Sequence, residues 1–279
     1  MMRSKLLPLL SILSMPAALV WADHHETDDL RAGRGYIETE VFSAESDQAI
    51  LAAFAGLRVA DVTDGMDAVG LFNGGLMDPE IAPLWKDPEN YAHRFIGIAV
   101  TARYVPTQRA HAGKLPEADY DSWAGRWYNE LSNEPFMELL RDGSVLVLED
   151  AARMDVGSIG SNNIMAWKVA GAVGVITDAT ARDTDEIITQ KVPLYLRNPG
   201  RGIRPGRNEI ESVNRPVVVG GVLVKPGDVV VADGDGVVVV PRAVAREVAA
   251  YAHKIIEGDK AGRRALYERL GLPSDASVE

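Results

Sequence analysis

The 279-residue chain is 47% apolar and 25% charged, a globular balance that excludes a disordered tail or a fibrous repeat. Its 29 Lys and Arg against 40 Asp and Glu give a net charge of -11, with no basic run to offset it, so no nucleic-acid partner is expected. Cysteine is absent, which removes disulfides, thiolate nucleophiles and Cys-ligated metal clusters together.

Residues 1–22 read as a cleaved secretory signal. Arg3 and Lys5 give a positive start, Leu6 to Val20 is almost uninterruptedly apolar, and Val20-Trp21-Ala22 precedes the polar Asp23. A membrane anchor is the competing reading. However, a bilayer needs about 20 apolar residues, and Pro8 and Pro16 interrupt this run. The expectation is a periplasmic or secreted protein with no membrane attachment after cleavage. Residues 23–44 form a polar N-terminal arm, in which His24-His25 is a solvated pair on a loose terminus. The folded domain is expected over 45–279.

Ser46 to Leu57 has apolar residues at helical spacing, with Ser46 or Asp47 as N-cap. Phe95 to Val105 alternates as a strand. An aromatic-rich insertion near 106–141 follows, carrying Tyr120, Trp123, Trp127, Tyr128 and Phe136. Leu115 to Leu140 predicts one or two helices, whose rings serve a core or a subunit contact. From Gly143 the pattern is βαβ: a strand at Ser144–Leu148, a helix at Ser161–Ala172, a strand at Val173–Thr177 and a polar loop at Asp178–Asp185. Val217 to Val240 holds three β-branched runs, broken at Lys225-Pro226-Gly227-Asp228 and Asp233-Gly234-Asp235-Gly236, and predicts a β-meander or a folded-over β layer. Ala243 to Leu270 predicts a charged helix pair. One α/β domain accounts for all of this.

No H-E-x-x-H, P-loop, G-x-S-x-G or helix-opening G-x-G-x-x-G is present, and the five histidines are scattered. What remains is the loop carrying Asp178, Arg182, Asp183, Asp185 and Glu186, at the carboxyl end of a predicted parallel strand. Arg182 offers a guanidinium fork for a carboxylate, and Asp183 an oxygen ligand for a hard cation. Gly160-Ser161-Asn162-Asn163 opens the preceding helix with free N–H groups and a positive dipole end. These groups suit a small anion chelated to a metal. They equally suit a surface salt-bridge cluster that caps the next helix.

Gly160 to Asp183 (GSNNIMAWKVAGAVGVITDATARD), followed by Glu186, resembles the signature stretch of the RraA-like family. That family holds the regulator of ribonuclease activity A and the 4-hydroxy-4-methyl-2-oxoglutarate aldolases. The resemblance continues through Val213-Asn214-Arg215-Pro216-Val217, Gly220-Gly221-Val222 and Lys225-Pro226-Gly227-Asp228. It ends with Ala232-Asp233-Gly234-Asp235-Gly236-Val237-Val238-Val239-Val240-Pro241, with a looser fit at Asp61-Val62-Thr63-Asp64 and Gly97 to Thr101. It implies an α/β domain of the swivelling β/β/α type, with mixed sheets and flanking helices, assembled as a homotrimer or homohexamer. It also implies a magnesium or manganese ion on Asp183, with Arg182 as the catalytic contact to the pyruvyl oxygens. Gly160, Ser161, Asn162 and Asn163 would bind the substrate carboxylate with Arg182. Glu257 would reach the metal waters from a neighbouring subunit.

Where the aldolases carry an acid twenty-one positions before the arginine, this chain has Ser161, which is no base at neutral pH. The expected function is a metal-dependent lyase that cleaves or decarboxylates a small 2-oxo acid through a pyruvate enolate. The alternative is a non-catalytic periplasmic ligand-binding or regulatory protein on the same scaffold.

Overall fold

A computed structural model describes residues 31–33, 35–150 and 155–278. The signal reading of residues 1–22 and most of the polar arm lie outside the described residues. The chain divides into two units, Met1–Glu38 and Thr39–Glu279, and every element below belongs to the second.

Helix α1 spans Ala44–Phe54 and α2 spans Val59–Ala68. The cap of α1 is Ser43, whose hydroxyl accepts the Ser46 N–H at 3.2 Å, so neither Ser46 nor Asp47 plays that part. Asp47 is buried instead. It accepts hydrogen bonds from Arg141 Nε at 3.1 Å and Arg242 Nη1 at 2.7 Å, which compensate its charge.

Eight strands make the main sheet: β1 (Ala82–Pro83), β2 (Phe95–Pro106), β3 (Ser144–Glu149), β5 (Ala172–Thr177), β7 (Leu194–Leu196), β9 (Asn208–Val213), β12 (Val229–Asp233) and β13 (Gly236–Val240). Their order is β1-β7-β5-β3-β2-β12-β13. The pairs β2–β3, β3–β5 and β5–β7 are parallel. The long β2 carries β12 against Phe95–Ile98 and β9 against Ala102–Pro106, both antiparallel, end to end along one edge. A smaller parallel sheet joins β4 (Gly157–Ile159), β6 (Thr180–Ala181) and β8 (Asn198–Pro199). The hairpin β10 (Val217–Val219) and β11 (Val222–Val224) pairs apart from both. Helices α3 (Glu117–Arg126), α4 (Ser161–Val169), α5 (Thr184–Thr189) and α6 (Ala245–Leu270) flank these sheets. The architecture is thus mixed α/β with flanking helices, as expected.

The alternation of side chains decides the layers. On β3, Leu146 and Leu148 face a core built with Ile164, Trp167 and Ile187, while Val145 and Val147 face the β10–β11 hairpin. On β12 and β13, Val229, Val231, Val238 and Val240 pack under α1, α2 and α6, and the alternating Val230, Ala232, Val237 and Val239 face the hairpin core.

Three expectations need correction. Residues 217–240 are two hairpins lodged in different sheets rather than one meander. The predicted terminal helix pair is the single α6, entered through a 3-10 turn at Arg242–Val244. Its first half buries Ala245, Val248, Ala249, Ala252 and Ile256. Its second half continues past Gly258 because the C-terminal tail folds back on it, with Arg264 Nε donating to Val278 O at 2.7 Å. The helix from Ser161 ends at Val169, and the strand begins at Ala172. Among the described residues, no helix is long and apolar enough to cross a membrane.

Candidate functional site

The site forms where β4 and β6 end side by side. Gly157 pairs with Thr180 and Ile159 with Ala181, and the Arg182 N–H donates to Ile159 O at 2.8 Å. Two parallel strands thereby end at one level, presenting Gly160-Ser161 from one and Arg182-Asp183 from the other. Ligands of α/β sheets gather at such carboxyl ends.

Close approach requires the glycine at 157 and leaves little room for a side chain at 160. A Cβ at Gly157 would lie 2.7 Å from Arg182 Cβ, so the arginine stem rests flat on the backbone. A Cβ at Gly160 would lie 3.0 Å from Asp183 Oδ2 and 3.2 Å from Asn163 Oδ1. That empty position is a small cradle bordered by two oxygens.

Asp183 adopts a left-handed backbone, φ 57 and ψ 38, which a non-glycine residue holds only at some cost. Its surroundings fix it. Asp183 Oδ2 accepts the Ser161 N–H at 3.2 Å, and Oδ1 accepts Arg182 Nε at 3.2 Å. The carboxylate thus sits on the N-terminus of α4, whose first turn carries no acid of its own. The N–H groups of Asn162 and Asn163 are among those a helix start leaves without an intrahelical partner.

Below α4 lies an acid that the sequence did not flag. Glu134, from the turn before Pro135, accepts Asn163 Nδ2 and Trp167 Nε1, each at 2.7 Å. Arg204 is 2% exposed and places Nη2 2.8 Å from Glu134 Oε1, while Nε donates to Ser158 O at 2.9 Å. Its guanidinium also stacks 4.9 Å from the centre of the Tyr104 ring. A buried guanidinium needs such a counter-charge. The Arg-Gly-Ile-Arg-Pro-Gly-Arg run at 201–207 was a visible signal for a charged loop, but nothing local pointed to Glu134.

The structure brings Gly160, Ser161, Asn163, Arg182 and Asp183 together. Asn162 is exposed on the first turn of α4. Asp185 and Glu186 are exposed in the first turn of α5, where they complement its dipole. Glu257 is exposed on α6, which packs in the other helical layer, so within one protomer it stands apart from this group. Asp178 lies in the turn between β5 and β6, and burial, reinforced by the nearby Glu149 carboxylate, pushes its pKa up to about 6.

No group of three or more acidic or histidine side chains able to hold a metal occurs among the described residues. The donor set at the Gly160 cradle is one carboxylate and one carboxamide oxygen. It suits a hard cation that keeps most of its waters, and would not satisfy zinc.

A family model for the Aldolase/RraA proteins matches residues 59–239. Protein DlpA of Legionella pneumophila is 27% identical over 199 residues, covering 68% of this chain and 27% of DlpA. A protein of Halalkalibacterium halodurans named as a 4-hydroxy-4-methyl-2-oxoglutarate aldolase is 29% identical over 129 residues, covering 46% of this chain and 60% of that one. The chain therefore spans less than two thirds of either relative. The solved structure of Streptomyces coelicolor RraAS2, titled an unusual member of the RNase ES inhibitor RraA family, shares the fold. Its TM-score is 0.60 at 23% identity, over 81% of this chain and 99% of that one. With the family model spanning the sheets, the hairpins and the strand ends that carry Arg182 and Asp183, the chain belongs to the Aldolase/RraA family.

Proposed function

We propose that this protein is a divalent-metal-dependent lyase acting on a small 2-oxo acid. It would cleave a 4-hydroxy-2-oxo acid by retro-aldol chemistry or decarboxylate oxaloacetate. The observation that carries this reading is the Arg182–Asp183 pair held against the N-terminus of α4. The carboxylate and adjacent oxo group of a 2-oxo acid form a planar anion, which matches a guanidinium beside free helix N–H groups. The aldolase relative supports the same chemistry.

Magnesium or manganese is the proposed cofactor, with Asp183 as principal protein ligand and Glu257 of a neighbouring subunit reaching its waters. When bound, such a cation supplies Lewis-acid polarisation of the 2-oxo group. The N–H groups of Asn162 and Asn163 hold the substrate carboxylate. Arg182 donates to the oxygens on which negative charge builds as the carbon–carbon bond breaks. Ser161 hydrogen-bonds water without taking a proton at neutral pH. That favours decarboxylation, which requires no base to remove a hydroxyl proton.

The same serine favours the second reading, a non-catalytic binding protein on this scaffold. A periplasmic or secreted homotrimer or homohexamer completes the proposal, with light scattering of the mature chain as the check on assembly. The functional test is a coupled lactate-dehydrogenase assay for pyruvate, with magnesium, over oxaloacetate and a panel of 4-hydroxy-2-oxo acids. Pyruvate release above the free-metal rate is the expected result. Calorimetric binding of the same acids without release would select the binding protein.

A further inference from the structure

A cavity of about 390 Å³ opens between the 109–127 segment and the 203–207 loop. Small-molecule sites occupy roughly 300–1,000 Å³, so this volume takes a ligand of modest size. Three rings line it in succession. The Tyr120 and Trp123 centroids are 5.8 Å apart with planes at 42°, and those of Trp123 and Trp127 are 5.6 Å apart at 57°.

The inner ring anchors the row. Trp127 is buried, and its indole N–H donates to Asn208 O at 2.9 Å. Trp123 is half-buried, its edge set against Gly206, where a Cβ would lie 3.2 Å from Trp123 Cη2. Tyr120 is exposed at the mouth. The row therefore gives the cavity a wall of aromatic surface, with Trp123 and Tyr120 retaining exposure to it.

The charge of the cavity runs against that of the chain. Among the described residues, the lining includes Arg109, His111 and Arg207 and no acid, although the chain carries -11 overall. Arg109 is already neutralised by Glu209 at 3.2 Å. Arg207 is half-buried and, among the described residues, donates to backbone carbonyls, Ile203 O at 3.0 Å and Pro205 O at 3.4 Å, and pairs with no carboxylate. A cation withdrawn from water without a carboxylate partner calls for an anion.

We propose that this cavity is a binding site for a planar aromatic carboxylate, with its ring on Trp123 and its carboxylate on Arg207. A cationic ligand would find no acid in the lining. An aliphatic anion would leave the ring faces unused, and a neutral ring would leave Arg207 without a counter-charge. Neither Arg182 nor Asp183 lines this cavity, so the proposal does not rest on the proposed lyase reaction.

The test is calorimetry on the full-length protein with 1-naphthoate, using cyclohexanecarboxylate and 2-naphthol as controls for ring and charge. Naphthoate should bind, and both controls should bind about tenfold more weakly, 2-naphthol because it lacks the charge-assisted hydrogen bond and cyclohexanecarboxylate because it lacks the stacking ring. Trp123→Ala and Arg207→Gln should each weaken naphthoate by about tenfold, whereas Arg182→Ala should leave it unchanged. Tyr120→Ala, at an exposed ring, supplies the stacking test if Trp123→Ala does not fold. The proposal is overturned if naphthoate gives no heat or if cyclohexanecarboxylate binds equally well. Undiminished binding by Arg207→Gln, or loss of binding in Arg182→Ala, overturns it too. Self-association abolished by Tyr120→Ala, without naphthoate binding, would assign the rings to a second copy of the chain and equally overturn it.

Discussion

Glu134 Oε1 accepts Asn163 Nδ2 at 2.7 Å, which leaves Asn163 Oδ1 facing the gap at Gly160 that Asp183 Oδ2 also borders. A carboxamide has a donor end and an acceptor end. The carboxylate beneath it decides which end reaches the cradle. An acid from the aromatic insertion therefore sets the chemistry of a site whose signature lies in another stretch of the chain.

Glu134→Gln should weaken manganese binding by about tenfold, because a neutral partner no longer dictates the amide's orientation and outer-shell partners act on this scale. Titration followed by electron paramagnetic resonance measures the loss. Glu134→Ala should also lower Tm, since Arg204 would stay buried without its counter-charge. An unchanged manganese affinity in both variants would remove Glu134 from the site.

Arg182→Ala should lower kcat/KM for pyruvate formation by about two to three orders of magnitude, equivalent to roughly 2–4 kcal/mol of transition-state stabilisation. Asp183→Ala should abolish calorimetric binding of magnesium and manganese by the metal-stripped protein. Equal binding by that variant would place the cation elsewhere.

Ser161→Asp should raise the rate of pyruvate release in magnesium, because it supplies a charged acceptor for water at the cradle. The substitution also suits its place, since Ser161 opens α4 and an acid in a first turn complements the dipole. No gain in rate on any substrate, together with a wild-type rate at the free-metal background, would favour the binding-protein reading.

Asp178 gives the stability of the fold a pH signature. Its pKa is raised from 3.8 to about 6 by burial first and by Glu149 second. The folded state then binds a proton more tightly than the unfolded chain does. This stabilisation is complete below pH about 4 and is lost as pH rises towards and through about 6. Asp178→Asn should therefore raise Tm by a few degrees at pH 7 and flatten the dependence of Tm on pH between 4 and 7. Calorimetric scans across that range check both, and a parallel offset at every pH would exclude the carboxyl as the cause.

Sequence periodicity by itself determined most of the local structure, and the Gly160–Asp183 stretch carried the resemblance to the family. The alternation of Val145, Leu146, Val147 and Leu148 is enough to make a strand buried on both faces, because the period of two requires an apolar partner on each side. Arg182 and Asp183 were legible because they are adjacent in the chain and follow a recognisable glycine-bearing stretch. What the sequence could not supply was pairing across long separations. The β-branched runs of 217–240 look alike one by one, yet one hairpin extends the main sheet and the other covers it. That choice depends on which surfaces pack, not on propensity. Glu134 and Arg204 were invisible for the same reason, since each is an ordinary loop charge until the fold removes Arg204 from water and places Glu134 beside it. Only the tertiary structure decides which charge is buried, and burial is what turns an ion pair into a fixed part of a site.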